Sequence, residues 1–190
     1  MKVYSFEPSE GVLKYLNENI KINQLEKQVT SVSVALSDSK GSIDFYELKN
    51  PKFPNIHNLS GEHNTGAKKD RLSNKIRVET TTLDDFVLSQ KINSLEFMKL
   101  DTEGAENIIL KGAKKTIEKF RPLIVCETLF NTIEADLEDT ISSFDYHFYN
   151  ETPHGLQRVN TIQRSEDNGV RNCFFVPPEK IHLIEEWIVK

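Results

Sequence analysis

Three acidic side chains follow two apolar segments, at points where strands are expected to end. Asp101 and Glu103 come directly after the apolar run 95–100. Glu127 follows the run 123–126. The carboxyl ends of strands in an α/β sheet are where such folds bind ligands, so we expect these carboxylates at one edge of the sheet. Two neighbouring carboxylates raise each other's proton affinity, which suits a general base near neutral pH, and they could equally share a divalent cation.

The turn after the first run has a second interpretation. Asp101 or Thr102 could cap the following helix, with Glu103 and Glu106 as acids in its first turn. Gly104 permits a tight turn into that helix. Capping and ligand contact can coexist, so Asp101 and Glu103 stay candidates for the site. Glu106 lies a turn further on, and we expect it to be structural.

Two further positions could bind a nucleoside. Glu7 ends the strand 2–6, and an acid at the end of the second strand of a dinucleotide-type sheet accepts both ribose hydroxyls. Alternatively, Glu7 stays beside the N-terminus of the next helix, whose dipole favours negative charge. Ser37 and Asp38 follow the third strand, where they could flank a base. Asp, Ser and Gly also favour a plain hairpin turn at that point.

The histidines lie in predicted loops. A surface position is the ordinary interpretation for His57, His63 and His154, and His63 and His154 are kept as candidates for substrate contact. Neither their spacing nor a histidine cluster predicts a zinc site, so no metal site is assigned.

The elements that must position these residues alternate between strands and helices. This alternation predicts an α/β fold with a mostly parallel sheet and helices on both faces. Strands 29–36 and 42–48 are expected to form an edge hairpin, and the polar segment 50–75 is a candidate lid over an acceptor. The other predicted strands are 2–6, 76–82, 95–100, 123–126, 146–149 and 172–176, and the predicted helices are 9–22, 83–88, 104–120, 132–143 and 178–189.

Size and charge narrow the function classes. A chain of 190 residues suits a single domain over 1–190. A net charge of −5 argues against nucleic acid as a partner, which needs a basic face. No stretch approaches the length of a membrane span and the N-terminus has no signal-peptide pattern, so the cytoplasm is expected. Cys126 and Cys173 each lie in an apolar run, which predicts buried free thiols.

Four blocks of the sequence together resemble the FkbM family of S-adenosylmethionine-dependent methyltransferases. They occur in the family's order and span nearly the whole chain, and the last block is the most specific. The blocks are Val3-Tyr4-Ser5-Phe6-Glu7-Pro8, Ala35-Leu36-Ser37-Asp38 followed by Gly41, Thr82-Leu83-Asp84-Asp85-Phe86, and Lys99-Leu100-Asp101-Thr102-Glu103-Gly104-Ala105-Glu106 with Leu110-Lys111-Gly112-Ala113.

The resemblance implies the class I methyltransferase fold, a Rossmann-like seven-stranded α/β sheet, with S-adenosylmethionine as cofactor. It implies O-methylation of a hydroxyl on a sugar or small metabolite, so the expected partner is a small-molecule or glycan acceptor. Glu7 would hold the ribose diol and Ser37 and Asp38 would lie beside the adenine. Asp101 would lie near the methionine end and the acceptor, where Glu103 and Glu127 could hold a hydroxyl.

The chain departs from the family pattern at its start. Members carry a glycine-rich strand–helix unit ahead of the Phe-Glu-Pro block, and this first βα unit is missing here. Its loss would leave strands 2–6 and 95–100 without hydrogen-bond partners, at about 1–3 kcal/mol for each buried unpaired group. We therefore expect the slot to close, to be filled by a second chain as in a homodimer, or to belong to a longer protein.

Two other functions stay open at this point. The chain could be an inactive truncated remnant, or an interaction domain that keeps the methyltransferase scaffold. A nicotinamide-dependent dehydrogenase also uses a ribose-binding acid. The dehydrogenase interpretation gives no role to the Asp101 block.

Overall fold

The computed structural model describes residues 2–49, 57–61, 73–102, 104–128 and 130–189. The chain divides into two compact units, Met1–Thr82 and Leu83–Lys190, and each is described by itself. The single-domain organisation stays a prediction. Within the described ranges, no helix is long and apolar enough to cross a membrane.

The first unit contains two small sheets. Strands β1 and β2 pair in parallel, and the second sheet has the order β3-β6-β4-β5, with β3–β6 parallel and the other pairs antiparallel. Helix α1 follows β1, and its N-cap is Ser9, whose hydroxyl accepts the Val12 N–H. The bounds are β1 Val3–Phe6, α1 Glu10–Ile22, β2 Val29–Val32, β3 Ala35–Leu36, β4 Gly41–Lys49, β5 His57–Gly61 and β6 Ser73–Thr81.

The predicted hairpin between 29–36 and 42–48 is wrong. The first of these segments is two strands, β2 and β3, which belong to different sheets. Strand β6 pairs with both β3 and β4 and therefore separates them. The physical reason is apolar packing, because Val78 of β6 forms one buried cluster with Ala35 and Phe45.

The predicted loop 50–75 is in part regular structure. Strand β5 lies within it, so His57 is a strand residue, and β6 begins before its predicted start. The rest of the segment, with His63 and the candidate lid, lies outside the described residues.

The second unit is built on a mixed sheet of order β10-β9-β11-β8-β7. Only the β7–β8 pair is parallel among its described strands, and β8–β11, β11–β9 and β9–β10 are antiparallel. The fold is therefore mixed α/β. The predicted mostly parallel sheet does not agree with this strand pairing. The bounds are α2 Leu83–Ser89, β7 Phe97–Leu100, α3 Glu106–Lys111, α4 Lys114–Phe120, β8 Leu123–Glu127, α5 Glu134–Ser142, β9 His147–Thr152, β10 Gly155–Val159 and β11 Asn172–Val176, followed by 3-10 turns at Pro178–Leu183 and Glu185–Trp187.

The helix predicted over 104–120 is two helices, α3 and α4, which are separated at Gly112 and Ala113. Asp84 of α2 stabilises the start of α4, because its carboxylate accepts from the Thr116 hydroxyl at 2.7 Å and from the Thr116 and Lys115 N–H groups at 2.8 and 3.1 Å. The acidic block around Asp84 therefore has a structural role in this unit.

The two faces of this sheet carry different residues. One face contributes Val125 and Tyr149 to a core cluster, and Ile184 of the C-terminal 3-10 turns is buried in the same cluster. The other face carries Ile124 and Phe175, both 0% exposed. This packing gives β8 and β11 apolar contacts on both sides and fixes their register.

Strands β1 and β7 are each paired on one side. Strand β7 is the edge of its sheet, and β1 pairs with β2 alone among the described strands. An edge strand presents N–H and C=O groups that can accept a further strand.

We predict that three glycine-to-alanine substitutions differ in cost in a set order. Gly155 has φ 124°, and a Cβ there would overlap the Trp187 carbonyl, so its replacement should lower the free energy of unfolding by more than about 2 kcal/mol. Gly169 has φ 82° but open space around it, so its replacement should cost about 1 kcal/mol.

The control is Gly41→Ala, because the nearest atom to an added Cβ there is Thr80 Oγ1 at 3.9 Å. We expect a change within about 0.5 kcal/mol. Chemical denaturation of the three variants measures the order, and equal losses for Gly155→Ala and Gly169→Ala would contradict the role given to the Trp187 contact.

Candidate active site

A buried carboxylate organises the turn after β7. Glu106 is 0% exposed and accepts from the Thr102 N–H at 2.6 Å, the Thr102 hydroxyl at 3.0 Å and the Gly104 N–H at 3.0 Å. Gly104 has φ 104°, a conformation that favours glycine. The N-cap of α3 is Ala105 and not Asp101 or Thr102. Glu106 is structural, and it sets where the chain leaves β7.

Asp101 and Glu127 lie side by side at the carboxyl ends of parallel strands. Leu100, the last residue of β7, is opposite Cys126 of β8. The next residue along each chain segment is a carboxylate, Asp101 just after β7 and Glu127 at the end of β8. The side chain of Asp101 is 54% exposed, whereas the Oε2 atom of Glu127 is buried. The two are neighbours as the sequence predicts, and their catalytic roles stay predictions.

A lysine that the sequence analysis missed contacts this edge. Lys99 Nζ donates to Asp101 Oδ2 at 3.0 Å and to Asn172 Oδ1 at 3.2 Å. Asn172 of β11 is opposite Glu127 of β8, so Lys99 reaches past β8 to the next strand. The expected pair of carboxylates therefore has an ammonium group beside it.

The polar side chains continue onto β9. Asn172 Nδ2 donates to Glu151 Oε2 at 2.7 Å. We call Lys99, Asp101, Glu127, Asn172 and Glu151 the polar row. It runs across the tips of four adjacent strands, β7, β8, β11 and β9. Such a row can donate to and accept from several hydroxyl groups of one ligand.

A buried ion pair shapes the segment that follows Glu127. The side chains of Arg164 and Glu134 are 6% and 4% exposed and contact each other. Arg164 also donates to the carbonyls of Thr128, at 3.1 Å, and Val170. Glu134 accepts the Asn131 N–H at 3.1 Å. The carbonyl of Thr128 at the start of the loop after β8 and the carboxylate of Glu134 at its end thus meet at one guanidinium group.

In the first unit, Glu7 lies at the end of β1 and at the start of α1. Its Oε1 accepts the Ser9 N–H at 2.8 Å. Ser9 is buried and donates its hydroxyl to Glu47 of β4, whose other carboxylate oxygen accepts from Asn74 at 3.4 Å. Burial raises the pKa of Glu7, the Ser9 N–H partly offsets this, and the charge of Glu47 raises the pKa further. The contact with Ser9 shows that Glu7 does serve the helix N-terminus.

The remaining predicted positions are turns or lie outside the described residues. Ser37 is buried and its N–H donates to the Thr81 carbonyl at 2.9 Å, which continues the β3–β6 ladder. Asp38 accepts from Ser39 at 3.1 Å. His154 is in the β9–β10 turn, where its N–H donates to Thr152 Oγ1 at 3.2 Å. Glu103 lies outside the described residues.

The sequence analysis missed several polar residues of this region. A sequence pattern could have indicated some of them but not others. Lys99 is two positions before Asp101, and a spacing of two places side chains on one face of a strand. Asn172 and Glu151 join the site through antiparallel pairing with distant strands. No sequence period indicates Arg164, which acts from an irregular segment.

Both cysteines are free and buried, as predicted. Burial raises the pKa of Cys173 to about 11 and that of Cys126 well above its usual range, so neither is a ready nucleophile. Over the described ranges, no group of three or more His, Cys, Asp or Glu side chains could hold a metal ion.

The second unit is thus a mixed α/β fold whose strand edge carries acidic side chains. A family model described as the methyltransferase FkbM domain matches residues 1–149. The match covers more than half of the chain, and the chain belongs to that family.

Two relatives extend this result. The chain is 29% identical over 126 residues to "2-O-methyltransferase NoeI" of Sinorhizobium fredii (strain NBRC 101917 / NGR234). The aligned segment covers 63% of this chain and 51% of that protein. The chain is also similar to the 2.20 Å crystal structure of methyltransferase FkbM from Methylobacillus flagellatus KT, with TM-score 0.58 and 16% identity over 92% of this chain and 36% of that one. The second likeness shows the fold alone. The chain spans about half the length of the curated relative it matches.

We predict that Glu106→Ala destabilises the second unit. The substitution leaves the N–H groups of Thr102 and Gly104 without their acceptor, at about 1–3 kcal/mol for each buried group. Denaturant unfolding measures the loss. Glu118→Ala, at an exposed position of α4, is the matched control and should stay within about 0.5 kcal/mol of wild type. Equal behaviour of the two variants would contradict the role assigned to the buried carboxylate.

A second prediction concerns the pH dependence of stability at Glu7. Its pKa is higher in the folded chain than in the unfolded chain, so the folded state disfavours the ionised form. This cost is absent below the unfolded pKa and develops as pH rises through the folded pKa. Glu7→Gln removes it, so the variant should gain stability relative to wild type as pH rises.

The measurement is the free energy of unfolding from about pH 3 to about pH 8 for wild type and Glu7→Gln. The control is Glu10→Gln, which changes an exposed acid in the first turn of α1. Curves for wild type and Glu7→Gln that run parallel over this range would show that burial and Glu47 do not shift Glu7.

Proposed function

We propose that this chain acts in an S-adenosylmethionine-dependent O-methyltransferase whose acceptor is a hydroxyl of a sugar or small metabolite. Family membership and the name of the 2-O-methyltransferase relative support the reaction class. The observation that carries the proposal is the β7–β8 register, which brings Asp101 and Glu127 together at one strand edge. The proposed fold is a class I, Rossmann-like one. The cytoplasmic location of the protein stays a prediction.

Carboxylate chemistry in the first unit fits the nucleoside part of the cofactor. A vicinal diol donates two hydrogen bonds, and an ionised carboxylate is acceptor-only with two oxygens. Glu7 is half-buried at the end of β1, and Ser9 fixes its orientation. Glu7 would hold the ribose, with Ser37 and Asp38 beside the adenine and Asp101 near the methionine end. When bound, S-adenosylmethionine would supply an electrophilic methyl group, and the electron pair of the broken carbon–sulfur bond would stay on S-adenosylhomocysteine, the leaving group.

The residues of the polar row would act on the acceptor. Asp101 or Glu127 would accept the proton of the acceptor hydroxyl as its oxygen forms the new bond to carbon. Asp101 is the better placed for this, because half of its side chain is exposed to an incoming ligand. Glu103 and His154 are further candidates for acceptor contact. Holding the hydroxyl in line with the methyl group would supply most of the rate gain.

A non-enzymatic interaction domain is the second candidate. Among the described strands, β7 pairs on one side only, which favours this candidate because an edge strand can take up a strand from a partner. Binding of S-adenosylhomocysteine separates the two functions, since an interaction domain needs no nucleoside site.

We predict that Glu7→Ala weakens binding of S-adenosylhomocysteine by about a hundredfold or more, because two charge-assisted hydrogen bonds to the ribose are lost. Calorimetric titration measures this on the chain and on the full-length polypeptide encoded at its locus. Glu10→Ala is the matched control and should bind as wild type does. Absence of binding by the wild-type full-length polypeptide would remove the proposed function.

The acceptor side is tested by methyl transfer to a panel of mono- and oligosaccharides. We predict that Asp101→Asn lowers kcat about 10²- to 10⁴-fold, because the variant lacks the proton acceptor. Glu118→Gln is the control and should leave kcat unchanged. Full activity of Asp101→Asn would assign the proton transfer elsewhere.

A further inference from the structure

Lys99 has an acceptor for each of its three ammonium protons. Its Nζ lies 3.0 Å from Asp101 Oδ2, 3.2 Å from Asn172 Oδ1 and 3.4 Å from the Leu100 carbonyl oxygen. An ammonium group has three donors and no acceptor, so these contacts account for all of them. Lys99 therefore links Asp101 to Asn172.

The amide of Asn172 connects this link to a further strand. Its oxygen accepts from Lys99 and its nitrogen donates to Glu151 Oε2 at 2.7 Å. An amide placed between an ammonium group and a carboxylate has one favourable orientation, because a flip would set donor against donor. Hydrogen bonding therefore diverges from Lys99, which donates to both Asp101 and Asn172, and Asn172 donates onward to Glu151.

The network leaves part of Asp101 available. Among the described residues, the side-chain hydrogen bond of Asp101 is made through Oδ2 alone, and half of the side chain is exposed. Lys99 is 41% exposed, and ion pairs at such exposure contribute little to stability. The arrangement therefore affects the position of Asp101 more than the stability of the fold.

We propose that Lys99 and Asn172 are positioning residues that hold the Asp101 carboxylate at the strand edge for the acceptor hydroxyl. This rests on the proposed function, in which Asp101 takes the acceptor proton. Lys99 fixes one carboxylate oxygen and leaves the other to the substrate. Asn172, anchored by Glu151, fixes Lys99.

The first arm of the test needs no turnover. The exchange of the ammonium protons of ¹⁵N-labelled lysine side chains with water is measured by NMR. We expect the Lys99 protons to exchange more slowly than those of Lys114, an exposed lysine of α4. Asp101→Asn and Asn172→Leu should each speed the exchange of Lys99. Exchange at Lys99 as fast as at Lys114 in wild type would overturn the proposal.

The second arm is kinetic and uses methyl transfer to a saccharide acceptor. Lys99→Met should lower kcat at least about tenfold, as a fraction of the general-base effect, with little change in KM for S-adenosylmethionine. Lys99→Arg should recover part of the loss, because it restores a donor to Asp101. The midpoint of thermal unfolding should move by less than about 3 °C in both variants. Lys114→Met is the control.

The outcomes separate the two proposals. A loss of kcat in Lys99→Met that arginine does not recover, or that follows a matching fall in thermal stability, would contradict positioning by Lys99. An unchanged kcat in Lys99→Met would contradict it as well. A wild-type protein that transfers no methyl group contradicts the proposed function alone, and the proton-exchange arm still decides whether Lys99 and Asn172 hold Asp101.

Discussion

The buried carboxylate of Glu106 fixes the path of the chain at the end of β7. A charged group without solvent contact is costly unless hydrogen bonds compensate it, and Glu106 receives three from Thr102 and Gly104. These bonds fold the chain back toward α3 immediately after Asp101. Because β7 also lies in register with β8, Asp101 follows β7 at the level of Glu127. The polar row depends on this one local arrangement.

A second constraint acts from the other side of Glu127. The loop after β8 packs around Arg164, whose guanidinium is satisfied by Glu134 and by backbone carbonyls. Removing one partner of a buried ion pair typically costs about 3–5 kcal/mol, because the other charge stays buried. Glu106 and Arg164 therefore fix the two ends of the acidic edge by the same physical means.

Local patterns predicted the strands and helices whose apolar residues form a continuous run or recur at helical spacing. The apolar runs of β7 and β8 and the helical spacing of α1 identify these elements, and Ser9 caps α1 as its residue type indicates. The hairpin prediction failed because strand pairing is non-local. Strand β3 pairs with β6, which is distant in sequence, and not with β4, which follows it directly. Strand β10 was missed because Gly155–Val159 has only weak alternation. The break between α3 and α4 depends on tertiary contacts, among them the cap from Asp84.

The same distinction between local and non-local information applies to the residues of the candidate site. Asp101 and Glu127 end consecutive parallel strands, and that topology alone makes them neighbours. Asn172 and Glu151 enter through antiparallel pairings that no local period specifies. Glu47 contacts Ser9 from a different sheet, so its influence on Glu7 depends on tertiary structure.

The contacts between the post-β8 loop and Arg164 limit how this protein can be re-engineered or diversify. A chimaera that replaces the loop after β8 by that of another family member would change the setting of the Thr128 carbonyl and of Glu134, which both contact the guanidinium. The graft must bring its own counterpart of the 160–171 segment, or replace both charges by apolar residues at once. Changes in this loop are therefore expected to arise through paired exchanges of the two segments and not through changes in one of them alone.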